Sequence, residues 1–208
     1  MNRRFFVLAA PLAAPALVAG CGGAEPVWAD EAAVARARYR PEGGPALTLF
    51  TMRNTGSGNG AHSGLMIDAG ERVFFDPAGT FAHKSLPERN DVIYGMTPSV
   101  VDYYVSYHAR ETYYVVEQRA PVTLEQASAA MRAALSYGAV PKAQCARAVS
   151  AVLGAMPGIG ARFGSTWFPE TVEADSATLP GVVSREHRES DPDDRSGAVA
   201  AIGQALGG

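Results

Sequence analysis

Alternating apolar and polar positions mark residues 46–52 as a strand, and a second alternating run, Ala61-His62-Ser63-Gly64-Leu65-Met66-Ile67, follows a glycine-rich turn. Asp68-Ala69-Gly70 then turns the chain into residues 71–76, which is a hairpin signal. Residues 91–95 read as a short strand. Residues 111–119, centred on Tyr113-Tyr114-Val115-Val116, read as a longer one. Elsewhere the apolar spacing changes to three and four. It predicts a short helix over 31–38 capped by Asp30, and another over 97–109 with Val100, Val101, Tyr104 and His108 near one face. The capping box Thr123-Leu124-Glu125-Gln126 opens a third helix, through Ser136, and Gly138 closes it. A fourth opens around Pro141, with positions 145, 148, 149, 152 and 153 on one apolar face, and residues 167–174 predict a last one. The expected class is α+β, a small antiparallel sheet packed against the helix that carries Cys145.

Composition narrows the role of such a domain. With 208 residues and 47% hydrophobic content, the chain can bury one good core. A formal charge of -3 without a basic cluster argues against nucleic-acid binding. The first residues change the picture more. Arg3 and Arg4, an apolar run from Phe5 to Val18 and the small pair Ala19-Gly20 before Cys21 have the form of an export signal. The expected organisation is therefore a signal peptide over 1–20, a tether over 21–44, a folded domain over 45–183 and a charged, unstructured tail over 184–208, in which His187 is discounted.

The candidate chemistry is a thiol with a base. Cys145 in the first turn of its helix meets free backbone N–H groups and the positive end of the helix dipole, both of which favour a thiolate. His62 on its strand supplies the base of a nucleophilic pair. Strand parity puts His62, Gly64 and Met66 on one face. A three-residue hairpin turn sets Asp76 opposite His62, where it can orient the imidazole, whereas a two-residue turn sets it opposite Ser63. Asp76-Pro77-Ala78-Gly79 is also a plain turn opener. His108 is the rival base or orienter, and otherwise an ordinary, partly exposed histidine at a helix end. A metal site from His62, His83, His108 and Cys145 lacks the short paired spacing of zinc motifs, so neither metal nor cofactor is expected.

Two resemblances give these residues a context. Leu17-Val18-Ala19-Gly20-Cys21 resembles the lipobox of bacterial lipoproteins, which implies cleavage before Cys21, a lipid on its sulfur and attachment to the periplasmic side of a membrane. A histidine strand of the form H-S-G-L-M-I, a hairpin partner and then a cysteine opening a helix resemble the circularly permuted papain-like branch of the NlpC superfamily. That branch includes lecithin:retinol acyltransferase-like enzymes and lipoproteins of the YiiX type. The resemblance covers roughly residues 46–155. It implies a permuted papain-like fold, Cys145 as nucleophile and His62 as base. The Cys145 backbone N–H would be the oxyanion donor, helped by Gln144. The chain departs from the family in having Gln144 before the cysteine, where Asn or Asp is common, and in offering only Asp76 as third residue. The implied activity is a cell-envelope cysteine hydrolase acting on cell-wall peptides. The alternatives are an acyltransferase or lipid esterase with the same site, and a non-catalytic binding lipoprotein.

Overall fold

A computed structural model describes residues 24–197 and 199; Cys21 and the whole export segment lie outside them. The elements in order are α1 (Glu31–Ala37), β1 (Ala46–Asn54), β2 (Gly60–Asp68), β3 (Arg72–Phe75), β4 (Glu88–Arg89), β5 (Val92–Ile93), α2 (Pro98–His108), β6 (Tyr113–Pro121), α3 (Leu124–Tyr137), α4 (Cys145–Gly154), α5 (Pro169–Ser176) and β7 (Val183–His187). The seven strands form one antiparallel sheet in the order β4-β5-β3-β2-β1-β6-β7. The class is α+β, with a sheet larger than the small one expected. No described helix is long and apolar enough to cross a membrane.

The two-residue side-chain period divides the core into two layers. Leu47 and Leu49 of β1, Leu65 and Ile67 of β2, and Phe75 of β3 pack on one face against Ala130, Ala134, Val149, Val152 and Val172 of α3, α4 and α5. Phe50, Met66 and Phe74 point the other way, against Val100, Tyr104 and Val105 of α2. The sheet is thus covered on both faces, and His62 belongs to the α2 side by parity.

Three expectations change. The cysteine helix starts at Cys145 rather than around Pro141. Residues 141–144 form a turn in which Gln144 N–H donates to the Pro141 carbonyl (3.3 Å), and Ala143 holds φ +63°, which a helix cannot include. The tether is docked: Ala29 N–H donates to Glu88 O (2.9 Å), Asn90 N–H donates to Val27 O (2.7 Å), and Asp30 caps α1 by accepting from Ala33 N–H (2.6 Å). The tail, expected to carry only solvated charge, adds β7 to the free edge of β6, pairing Val115 with His187 through Arg119 with Val183. Its charges find partners across that edge. His187 Nε2 lies 2.8 Å from Glu117 Oε2, Arg188 stacks over the Tyr114 ring, and Asp191 lies 3.4 Å from Arg110.

Candidate active site

The hairpin register decides the site. Asp68 pairs with Arg72 and Leu65 with Phe75, leaving a three-residue turn over 69–71. The turn has the length expected but begins one residue later, so continued pairing sets Asp76 opposite Gly64 rather than opposite His62. A two-residue shift keeps the parity, and Asp76 still shares the face of His62. The imidazole reaches it diagonally: His62 Nε2 lies 2.7 Å from Asp76 Oδ1. Gly64 lies between them and makes room. A Cβ there would stand 2.5 Å from the Tyr104 hydroxyl, which itself donates to Asp76 Oδ1 at 2.8 Å.

The sulfur arrives from the other side of the sheet. Beyond the Leu65–Phe75 pair β3 leaves β2, and α4 abuts β2 at the notch so formed. There Cys145, a free thiol only 6% exposed, faces the His62 ring. With Nε2 committed to Asp76, the nitrogen left to the sulfur is Nδ1. The backbone N–H groups of Ser63 and Ala146 add to the lowering of the Cys145 thiol. Gln144 directly precedes as the helix N-cap, without a side-chain capping bond. Its own N–H serves the turn to Pro141, so only its side chain remains free to meet a substrate oxygen.

A second carboxylate fixes the two loops relative to each other. Asp91 accepts from Ala78 N–H at 2.8 Å and, through its other oxygen, from Val140 N–H at 2.7 Å. It therefore ties the turn after Asp76 to the segment leading into Cys145. Gly79 is required in that turn, since any Cβ there would overlap the Asp76 carboxylate.

Electrostatics separate the two histidines. Burial opposes charge on His62, but the Asp76 carboxylate, with help from the Cys145 sulfur, outweighs it and pushes the pKa up to about 10. Burial alone would raise Asp76, yet the His62 imidazolium holds it below the usual carboxylate range. Burial likewise raises the Cys145 thiol, and the His62 hydrogen bond and charge reverse this, so its net shift is downward. His108 goes the other way. It is buried rather than partly exposed, shares Nδ1 with the Tyr104 carbonyl at 2.9 Å, and stacks on His62 with ring centres 6.0 Å apart. Burial, reinforced by the positive charges of His62 and Arg195, drives its pKa down to about 4. It is a neutral neighbour and holds no bond to Asp76.

Comparison of the chain with protein-family models, with curated proteins and with solved structures found no match. The arrangement itself therefore carries the chemistry: a cysteine thiol with a lowered pKa beside an imidazole that is braced by a buried carboxylate. Among the described residues, no group of three or more His, Cys, Asp or Glu side chains is placed to hold a metal ion, and His83 lies in a loop where it accepts from Ser85 N–H.

In front of His62 lies a half-open cavity of about 310 Å³, walled by Met52, Ala61, Ala78, Gly79, Thr80, His108, Tyr113 and Arg195. Sequence reasoning missed Tyr104, Ser63 N–H and Arg195. Tyr104 carried a partial signal, since it stands one helical turn before His108 on the same face of α2. Arg195 carried none, because its tail was read as free.

Proposed function

We propose that the protein is a cysteine hydrolase of the bacterial cell envelope, amidase- or peptidase-like, built on a permuted papain-like fold and anchored by lipid on Cys21. The observation that carries the reading is the 2.7 Å contact of His62 Nε2 with Asp76 Oδ1, made by a ring whose other nitrogen is left to the Cys145 sulfur. The thiolate attacks a carbonyl carbon, and the oxygen, now negative, is received by the Cys145 backbone N–H, which has no acceptor within the helix. His62 gives its proton to the departing amine as the C–N bond breaks, leaving a thioester on Cys145. Neutral His62 then takes a proton from water, the hydroxyl adds to the thioester carbon, and the acid leaves as Cys145 returns to thiolate. Asp76 stays ionised throughout and keeps the ring oriented.

The cavity favours amide over long-chain acyl substrates. At about 310 Å³ it is small for a long acyl chain, and its wall carries the polar groups of His62, Thr80, His108, Tyr113 and Arg195. Incubation of the folded chain with cell-wall muropeptides tests the reading. The expected outcome is new amine and acid ends with the wild type and none with Cys145→Ala. Muropeptides left intact, together with failure of an activated ester to leave a hydroxylamine-sensitive acyl group on Cys145, would overturn it.

A further inference from the structure

We propose that Arg195 forms an anion subsite on the wall of the cavity it shares with His62, and that this subsite receives a carboxylate of the substrate. The proposal rests on the cysteine-hydrolase reading and narrows its substrate class to acyl compounds with a free carboxylate.

Three observations support it. The first is how the guanidinium is held. Arg195 Nε donates to the Tyr107 carbonyl at 3.1 Å, and its Cζ lies 4.7 Å from the centre of the Tyr107 ring. These contacts fix the plane of the group and leave both Nη atoms for a bidentate acceptor. Among the described residues, no carboxylate lies within salt-bridge distance of it.

The second is the charge of the wall. The cavity shared by His62 and Arg195 has no acidic side chain on its surface, and Asp76 lies buried beneath His62, engaged with the imidazolium. In a chain of formal charge -3 this cleft is locally positive. The Arg195 charge reaches far enough to help keep His108 neutral.

The third is how the tail is tied down. Asp191 pairs with Arg110, Glu189 accepts from Ser106 Oγ at 2.8 Å, and Asp193 accepts from Thr112 N–H at 3.2 Å. Glu189, Asp191 and Asp193 are thus spent on the α2–β6 corner and Asp194 accepts from Ser196, while Arg195 is delivered to the cavity.

Alkylation of Cys145 reads the subsite without a known substrate. In this reaction the S–C bond forms as the C–Cl bond breaks and chloride leaves with the electron pair. The probes are N-chloroacetylglycine, its uncharged amide, and the corresponding aminomethylphosphonate. Wild-type protein should react with the carboxylate about tenfold faster than with the amide, the effect of one charge-assisted contact. Arg195→Gln should abolish that preference while keeping the rate with the amide, which also shows that the fold and thiolate are intact. Arg195→Lys should keep part of it. Equal rates in the wild type, or a preference that survives in Arg195→Gln, would overturn the subsite while leaving the nucleophile in place. A phosphonate faster than the carboxylate would overturn the carboxylate assignment in favour of a phosphate head group. No reaction with any probe would remove the nucleophile, and the hydrolase reading with it.

Discussion

Asp76 Oδ1 accepts from both His62 and Tyr104, at 2.7 and 2.8 Å. One oxygen thus joins β2 to α2, and the imidazole orientation is set from two elements at once. The consequences can be measured separately.

Asp76→Asn should lower turnover by roughly 10²–10⁴-fold with little change in circular dichroism, because a neutral amide no longer stabilises the imidazolium. The same variant should shift the His62 ring resonances so that titration, near pH 10 in the wild type, moves toward neutrality. Unchanged turnover on a confirmed substrate would return Asp76 to a turn former.

The thiolate prediction concerns reactivity in mild acid. A free cysteine has a pKa of about 8.5, and the His62 charge holds Cys145 lower. Iodoacetamide near pH 6 should therefore label Cys145 in the folded protein, and His62→Ala should slow labelling by at least about tenfold. Equal rates would remove His62 from the mechanism.

Gly64→Ala should destabilise by about 1–3 kcal/mol and disturb the site, since the new methyl would meet the Tyr104 hydroxyl and the Phe74 ring, 2.8 Å away. Tyr104→Phe removes the hydroxyl and should relieve part of that cost when combined with Gly64→Ala. A purely additive double variant would show that the two residues do not press on each other.

His108 gives a pH dependence of defined sign. Its pKa falls from 6.5 when unfolded to about 4 when folded, so between these values only the unfolded chain takes the proton. Its contribution is complete above pH 6.5 and should be lost as pH falls toward 4, by on the order of 3 kcal/mol. His62 stays protonated in the folded chain over this window and titrates only near its upper end in the unfolded chain. Glu88, pushed up to about 7 by burial and by the nearby Asp91 and Asp76 carboxylates, keeps a proton only in the folded chain over much of this range and opposes the loss. The His108 contribution should therefore appear as the difference between wild type and His108→Phe in urea titrations from pH 7 to 4.

Lipid on Cys21 is a prediction about the processed chain. Mass analysis of membrane-extracted protein should find the chain starting at Cys21 with a modified sulfur. An intact Met1 start, or an unmodified Cys21, would remove the anchor from the proposal.

The parts of the site that depend on local rules were legible in the sequence. Thr123 and Gln126 form both halves of the capping box, Asp30 caps α1, and Cys145 stands in the first turn of its helix, although that helix begins four residues later than Pro141 suggested. Parity placed Asp76 on the face of His62 even though the turn begins one residue later than expected. What was not legible depends on pairing over distance. Nothing local in residues 183–187 announces a strand, because Val183-Ser184-Arg185-Glu186-His187 has no apolar alternation and His187 meets Glu117 only when the segment lies along β6. His108 was misjudged for the same reason. A histidine at a helix end is exposed by default, and only the packing of α2 against the sheet buries it among Phe81, Tyr104 and Tyr107.

The notch where β3 parts from β2 has a temporal consequence. His62 and Asp76 belong to one hairpin, fourteen residues apart, and can meet early in folding. The sulfur belongs to a helix separated from them by β4, β5, α2, β6 and α3, and reaches the imidazole only when α4 docks against β2. Until that long-range contact closes, the chain carries a thiol with the ordinary pKa of about 8.5, so the lowered thiol is a property of the folded chain and not of the nascent polypeptide.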